Sequence, residues 1–237
     1  MKKLLIAFTA AATLALPTFA APPPYYVAGD FQGWTAGANV MTETSPGSGI
    51  WQETFGGMAA NLRHEFKITG ADWSWSYPGP NSWLYADGLG NVTLTYDANA
   101  YADGWAGGSQ RIGVSVDKGT WTAVGDWGNG WNNANPLTAM TVQGGGIYEL
   151  AYVIAAPGSY QYKAVDTGSW DAIGNDSRNV NGGTWLFNTT DPNQTVDFFV
   201  NALNGTIKVD VVAVPEPSTL ALLGAGLAGL FCLRRRQ

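Results

Sequence analysis

The sequence predicts an all-β protein made of two tandem immunoglobulin-like β-sandwiches, preceded by a signal peptide and followed by a single membrane helix. Short runs of alternating apolar and polar residues recur between clusters of Gly, Asn, Asp and Pro, which is typical of strands joined by turns. No stretch between residues 22 and 212 keeps a helical apolar period. A Gly-Asp motif that ends in Trp occurs twice, at residues 29–34 and 125–131.

The first 20 residues have the pattern of a secretory signal peptide. Lys2 and Lys3 precede an apolar run, and Ala20 is the small residue after which a signal peptidase cleaves. We therefore expect the protein to be exported, and we exclude residues 1–20 from the fold. A buried helix is the alternative interpretation of this segment.

The body of the chain contains an internal repeat that extends beyond the two Gly-Asp motifs. Segments after the first motif match segments after the second in the same order, and residues 111–116 correspond to residues 206–211 at the end. This last match places the two domains at residues 25–117 and 120–212. A domain of this size is large enough to bury one sandwich core.

Strand alternation assigns a buried and an exposed face to the strand around Lys67 and to its counterpart around Lys163. We expect both lysines to point into solvent. The side chains on the opposite face are expected in the core, and they are His64, Phe66, Ile68, Tyr160 and Tyr162.

The last 24 residues, 214–237, hold a second three-part signal. A Pro-Glu-Pro triplet precedes an apolar run, and a basic cluster follows it; these residues are Pro215, Glu216, Pro217, Arg234, Arg235 and Arg236. The apolar run is short for a membrane span, but its basic flank favours a helix that ends in the cytoplasm.

This C-terminal segment resembles a PEP-CTERM sorting signal. The resemblance implies export through the inner membrane of a Gram-negative bacterium that makes exopolysaccharide. It also implies transient anchoring by the C-terminal helix, processing by an exosortase-type enzyme, and a final location at the cell surface or in the extracellular matrix. A plain tail anchor is the alternative.

The charge of the body argues against a nucleic-acid partner. The whole chain has a net charge of −6, and the body is near −10 because five basic residues and one acidic residue lie in the two end segments. Proteins that bind nucleic acid present a basic surface instead.

The residues of the body of the chain do not favour an enzymatic function. Cys232 is the only cysteine and lies in the C-terminal segment, while His64 is the only histidine, so the body holds no Ser-His-Asp or Cys-His set. A carboxylate pair for glycoside hydrolysis is not ruled out by counting, but a small β-domain offers no deep cleft. We expect no enzyme activity and no cofactor. The Asp-rich residues 171–176 lack the spacing of a calcium loop, so no metal site is predicted.

Carbohydrate binding is the favoured function. Sugar rings stack their C–H faces on flat aromatic side chains, and their hydroxyl groups need polar partners around the rim. All 11 Trp lie in the body. Each copy supplies a candidate set: Trp34, Lys67, Trp73 and Asn91 in the first, and Trp131, Lys163, Trp170 and Asn193 in the second.

These residues also carry a resemblance to a known family. Gly-Asp-Phe-Gln-Gly-Trp, Gly-Ile-Trp and Phe-Lys-Ile, followed by Trp73, resemble the order in glycogen- and starch-binding β-sandwich modules. These include the AMP-activated kinase β-subunit module and the accessory domains of branching enzymes. In the second copy, residues 158–163 followed by residues 168–171 are similar to accessory modules of bacterial amylopullulanases. The resemblance implies that the first Trp, the Lys, the second Trp and the later Asn of each set contact sugar.

The resulting hypothesis is an exported protein that binds α-glucan or exopolysaccharide. The alternative is a structural or adhesive matrix protein with no glycan site, and this alternative predicts that Trp34 and Trp131 are buried.

Overall fold

The computed structural model describes residues 23–108, 110–128 and 130–213. The strands, in chain order, are β1 (Tyr26–Gly29), β2 (Asn39–Val40), β3 (Thr42–Glu43), β4 (Ile50–Phe55), β5 (Arg63–Thr69), β6 (Ser76–Tyr85), β7 (Val92–Asp97), β8 (Arg111–Val114), β9 (Trp121–Gly125), β10 (Thr141–Gly144), β11 (Ile147–Ile154), β12 (Gly158–Asp166), β13 (Asp171–Gly174), β14 (Ser177–Val180), β15 (Trp185–Thr189), β16 (Gln194–Asn201) and β17 (Thr206–Val211). Two one-turn 3-10 helices span Asp30–Gln32 and Pro136–Thr138.

The predicted signal peptide (1–20) and the predicted C-terminal helix (214–237) lie outside the described residues. Within the described ranges, no helix has the length and apolar character needed to cross a membrane.

The strands pair into four antiparallel sheets. Residues 25–117, here called the first repeat, form sheet A in the order β2-β1-β5-β6 and sheet B in the order β3-β4-β7-β8. Residues 120–212, the second repeat, form sheet C in the order β10-β11-β16-β17 and sheet D in the order β14-β13-β12-β15, with β9 also paired to β12.

The four sheets are arranged as a ring that resembles a four-bladed β-propeller. Sheets A and B enclose one cluster of buried side chains, and sheets C and D enclose another. On one side of the ring, the Val114 N–H of sheet B donates to the Leu203 carbonyl of the β16–β17 turn at 2.9 Å. On the other side, the Ser82 hydroxyl of β6 donates to the Arg178 carbonyl of β14 at 2.8 Å.

The all-β class is therefore confirmed, but the prediction of two tandem immunoglobulin-like sandwiches is wrong. The two repeats do not form separate units, because Trp83 of β6 lies in the buried cluster of the second repeat. The guanidinium carbon of Arg178, a fully buried residue of β14, lies 4.2 Å from the centre of the Trp83 ring. The division of the chain at residues 118–119 stays a prediction.

Strand β14 is the element that the repeat pattern did not predict. The chain from Trp170 to Trp185 is five residues longer than the corresponding chain from Trp73 to Trp83. In the structure the second repeat uses this length to form the β13–β14 hairpin, where the first repeat has the single long strand β6. The hairpin packs on sheet A and joins the repeats.

Candidate functional site

A repeated turn after the first strand of each repeat is tied to the strand that carries the candidate lysine. Asp30 Oδ2 accepts a hydrogen bond from the Glu65 backbone N–H at 3.0 Å. In the second repeat, Asp126 Oδ1 accepts one from the Gln161 backbone N–H at 2.7 Å. Glu65 and Gln161 each lie two residues before the lysine. The Asp of the Gly-Asp motif therefore fixes the turn to the lysine strand, a role that the motif alone does not indicate.

The glycine of the motif is required by the close approach of two backbones. A Cβ atom at Gly29 would lie 2.8 Å from the Glu65 carbonyl oxygen, and one at Gly125 would lie 2.1 Å from the Gln161 carbonyl oxygen. Such distances are too short for non-bonded carbon and oxygen atoms. Any other residue would push the turn, with its Trp, away from the lysine strand.

In the first repeat the structure brings Trp34, Lys67 and Trp73 together. Together with Asn81 they line a shallow cleft of about 400 Å³. The centres of the two indole rings are 6.5 Å apart, and the ring planes are inclined by 40°. Trp73 is 49% exposed and Trp34 is half-buried. The two rings thus present a bent aromatic surface to solvent.

Lys67 lines the same cleft, and all three of its N–H donors bind backbone carbonyl groups. Its Nζ donates to the carbonyl oxygens of Pro78, Gly79 and Pro80 at 2.7, 2.5 and 3.1 Å. An ammonium group has three N–H donors, so all of them are used. Burial lowers the pKa of Lys67 below its ordinary value. The lysine holds the bulged part of β6 against the cleft that it lines together with the two rings.

The second repeat builds the same set around Lys163, at the equivalent register. Ala28 of β1 lies opposite Lys67, and Val124 of β9 lies opposite Lys163. The Nζ of Lys163 lies 5.9 Å from the centre of the Trp131 ring and 5.4 Å from that of Trp170. The two rings are 39% and 40% exposed. At these distances the ammonium interacts favourably with both aromatic faces.

The prediction that Lys163 points into solvent is wrong, since only 7% of the residue is exposed. Its Nζ donates to the carbonyls of Asn181 and Gly182 at 2.9 and 3.1 Å, just after β14. Burial lowers the pKa of Lys163, and the charge of Asp176 partly opposes that shift. Lys67 is only half-buried. The extra hairpin of the second repeat explains the difference, because it covers Lys163.

The structure does not bring the two predicted asparagines to these clusters. Asn91 precedes β7 of sheet B, and Asn193 precedes β16 of sheet C, whereas the lysines lie in sheets A and D. The Asn193 N–H donates to the Ala155 carbonyl at 3.1 Å. In the first repeat Asn81 lines the cleft instead, and its Nδ2 donates to Glu65 Oε2 at 2.6 Å.

The Asp-rich residues 171–176 have protein partners. Arg63 binds the carboxylate of Asp171, and Asp176 accepts the Gly183 N–H at 2.7 Å. Within the described ranges, no cluster of three or more His, Cys, Asp or Glu side chains is suited to hold a metal ion. The sorting-signal residues Pro215 to Pro217 and Arg234 to Arg236 lie outside these ranges.

Residues 213–236 match the PEP-CTERM protein-sorting motif, so the predicted sorting signal is confirmed. The comparison with curated proteins gives no match. Among solved structures, the chain is similar to one titled "Crystal Structure of SusF from Bacteroides thetaiotaomicron", at 17% sequence identity and a TM-score of 0.29. That alignment covers 81% of this chain and 50% of the other, so this chain spans about half of that protein's length.

Proposed function

We propose that the protein is an exported, non-enzymatic carbohydrate-binding protein for α-glucan or exopolysaccharide. The observation that carries this proposal is the same arrangement in both repeats: two partly exposed tryptophans beside one lysine, at equivalent register. Exposed indole rings offer the flat apolar surface on which sugar rings stack.

Stacking supplies most of the affinity in this proposal. Lys67 has no free N–H donor while its three carbonyl partners remain in place. Hydrogen bonds to sugar hydroxyls then come from the rim of the first cleft, where Asn81 is placed. The 40° inclination of Trp34 and Trp73 suits a bent chain such as an α-glucan better than a flat one.

The exposure of the rings favours this function over a matrix protein without a glycan site. That alternative expects Trp34 and Trp131 to be buried. Trp131 is partly exposed, and Trp34 is half-buried at the edge of an open cleft.

The sorting motif supports a location outside the inner membrane. A PEP-CTERM signal at residues 213–236 fits a protein of a Gram-negative bacterium that is anchored transiently by its C-terminus. An exosortase-type enzyme then processes it, and the body reaches the cell surface or the extracellular matrix. Binding of the exopolysaccharide that surrounds the cell is consistent with this destination.

Affinity electrophoresis of the full-length protein, kept in detergent, tests the proposal. Gels contain glycogen, soluble starch or the exopolysaccharide of the producing bacterium. We expect at least one polymer to retard the protein, and the same polymer to retard the double variant Trp73→Ala/Trp170→Ala clearly less. Leu186→Ala is the matched control, because it removes an exposed apolar side chain of β15. Free migration of the unmodified protein in all three gels would rule the function out.

A further inference from the structure

A second surface feature lies on the outer face of sheet B, away from the tryptophan clusters. It is a groove of about 500 Å³ whose floor consists of β4, β7 and β8. Leu203 and Asn204, from the β16–β17 turn of the second repeat, also line it. The groove therefore takes residues from both repeats, and the closure of the ring completes it.

The floor of the groove is lined by neutral hydrogen-bonding groups. Strand alternation in β7 turns Thr93 and Thr95 outward, while Leu94 between them is buried. Gln52 Nε2 donates to Thr95 Oγ1 at 3.1 Å, and Ser115 Oγ accepts the Thr93 N–H at 2.8 Å. A hydroxyl group has one donor and two acceptor positions, so the hydroxyls of Thr95 and Ser115 can still form hydrogen bonds with a ligand.

Gly113, on the floor of the groove, is required by the close approach of the β16–β17 turn. A Cβ atom there would lie 2.8 Å from the Leu203 carbonyl oxygen and 3.5 Å from Thr95 Cβ. The missing side chain lets the turn of the second repeat approach β8, which brings Leu203 and Asn204 to the groove.

Tyr101 supplies an aromatic wall that is held in place before any ligand arrives. Its hydroxyl donates to Asp97 Oδ2 at 2.5 Å, and the guanidinium carbon of Arg111 lies 4.1 Å from the centre of its ring. Even so, Tyr101 is 42% exposed. A fixed aromatic ring with exposed surface binds at a low entropic cost, because little side-chain motion is lost.

Arg111 at the groove is already paired and the Asp97 carboxylate is already hydrogen-bonded, which favours a neutral ligand. Both Nη atoms of Arg111 donate to the Asp103 carboxylate at 2.9 Å. Asp97 accepts hydrogen bonds from Tyr101 and from the backbone N–H and side chain of Asn99. An acidic ligand would find no uncompensated cation among the lining residues that the structure describes.

We propose that this groove binds a neutral oligosaccharide segment. One sugar ring stacks on Tyr101, and its neighbours along the chain bond through their hydroxyls to Gln52, Thr95, Ser115 and Asn204. The inference goes beyond the proposed function, because the groove lies on a different sheet and shares no residue with the tryptophan clusters.

The test uses full-length protein in detergent that also carries Trp73→Ala and Trp170→Ala, so that only the groove is left to bind. Affinity electrophoresis with glycogen, dextran, laminarin and hydroxyethyl cellulose measures the remaining affinity. We expect at least one polymer to be bound and Tyr101→Ala to weaken that binding at least about tenfold, which equals about 1.4 kcal/mol. Tyr101→Phe keeps the ring and is expected to retain binding within about threefold.

A further variant, Gln52→Ala/Asn204→Ala, tests the groove independently in case Tyr101→Ala does not fold. It is also expected to lose binding. The proposal fails if the tryptophan-silenced protein binds none of the polymers, or if Tyr101→Ala and Gln52→Ala/Asn204→Ala bind as strongly as their parent. Tryptophan variants that bind like the unmodified protein, with loss only on Tyr101→Ala, would refute the tryptophan sites and support the groove.

Discussion

Arg63 of β5 and Asp171 of β13 form a two-pronged ion pair that links the two repeats. Arg63 Nε donates to Asp171 Oδ2 at 2.5 Å, and Nη2 donates to Oδ1 at 2.6 Å. The carboxylate of Asp171 is almost fully buried, whereas about a third of the Arg63 side chain is exposed. The hydrogen bonds to Asp171 raise the pKa of Arg63 above its ordinary value.

Arg63→Ala is expected to destabilise the whole ring. The variant leaves the buried carboxylate of Asp171 without its partner, and a lost charged hydrogen-bond pair costs about 2 kcal/mol. Urea unfolding followed by tryptophan fluorescence measures the change. Glu65→Gln is the control, since it removes the more exposed ion pair between Arg63 and Glu65, keeps a side-chain oxygen that can accept from Asn81, and should cost less than about 0.5 kcal/mol. Equal effects of the two variants would contradict a special role for the buried pair.

Asp126→Ala is expected to weaken glycan binding although Asp126 does not line the cluster around Lys163. The variant frees the Gln161 N–H and with it the turn that places Trp131. Since one hydrogen bond from a backbone N–H to an exposed carboxylate is worth about 1 kcal/mol, we expect a loss of affinity of about fivefold and a small loss of stability.

Asp126→Asn should largely restore binding, because its side-chain oxygen still accepts the Gln161 N–H. Isothermal titration with the polymer that retards the protein measures both variants. A purely structural role would lower thermal stability in Asp126→Ala without changing affinity.

The neighbours of each lysine could be predicted from the sequence more fully than the architecture could. The cluster around Lys67 forms because β1 and β5 are adjacent strands of sheet A, although Ala28 and Lys67 are far apart in the chain. The sequence signal that groups these residues is the recurrence of the same motifs in the same order in the second repeat. Asn91 lies on the other sheet, and nothing in the order of the motifs specifies which sheet receives the strand after it.

The burial of Lys163 and the joining of the repeats share one cause that alternation does not reveal. Both depend on the β13–β14 hairpin. The Asn181 carbonyl, just after the hairpin, accepts a hydrogen bond from Lys163, and the Arg178 guanidinium of β14 packs over the Trp83 ring. The only trace in the sequence is the five extra residues before Trp185. A length difference indicates an insertion but not the surface on which it packs, and this is why two separate sandwiches were expected.

The stability of the fold is expected to fall steeply above about pH 10. Burial raises the pKa of several tyrosines above their ordinary value of 10.0, and the large shifts belong to Tyr77, Tyr85, Tyr96, Tyr148 and Tyr162. The folded state keeps these phenols protonated while the unfolded chain ionises. Their contribution is therefore fully present below pH 10 and is lost as the pH rises, by up to about 1.4 kcal/mol per pH unit for each tyrosine.

Arg178 opposes this trend, because burial lowers its pKa to about 10, but it is a single group against five. Urea midpoints at about pH 8 and about pH 11 measure the slope. Tyr96→Phe is the informative variant, since the Tyr96 hydroxyl is buried without a hydrogen-bond partner in the described structure. We expect this variant to be at least as stable at pH 8 and to lose less stability at pH 11. An unchanged alkaline slope would show that Tyr96 does not contribute.

The two tryptophan clusters are expected to act together on a polymer, because both belong to one closed ring. When two sites are held on one body, the second binding event has a high effective concentration. Trp170→Ala should therefore weaken binding of a long polysaccharide by about 10-fold to 100-fold. The same variant should reduce the number of sites for a short oligosaccharide by one and leave the affinity of the remaining sites unchanged.

Isothermal titration with maltoheptaose and affinity electrophoresis with glycogen provide the two measurements. Trp73→Ala is the matched variant in the first repeat, and the two single variants should behave alike if both clusters bind. A loss of glycogen binding no larger than the loss of oligosaccharide sites would mean that one polymer chain does not reach both clusters. A loss caused by only one of the two variants would assign binding to that repeat alone.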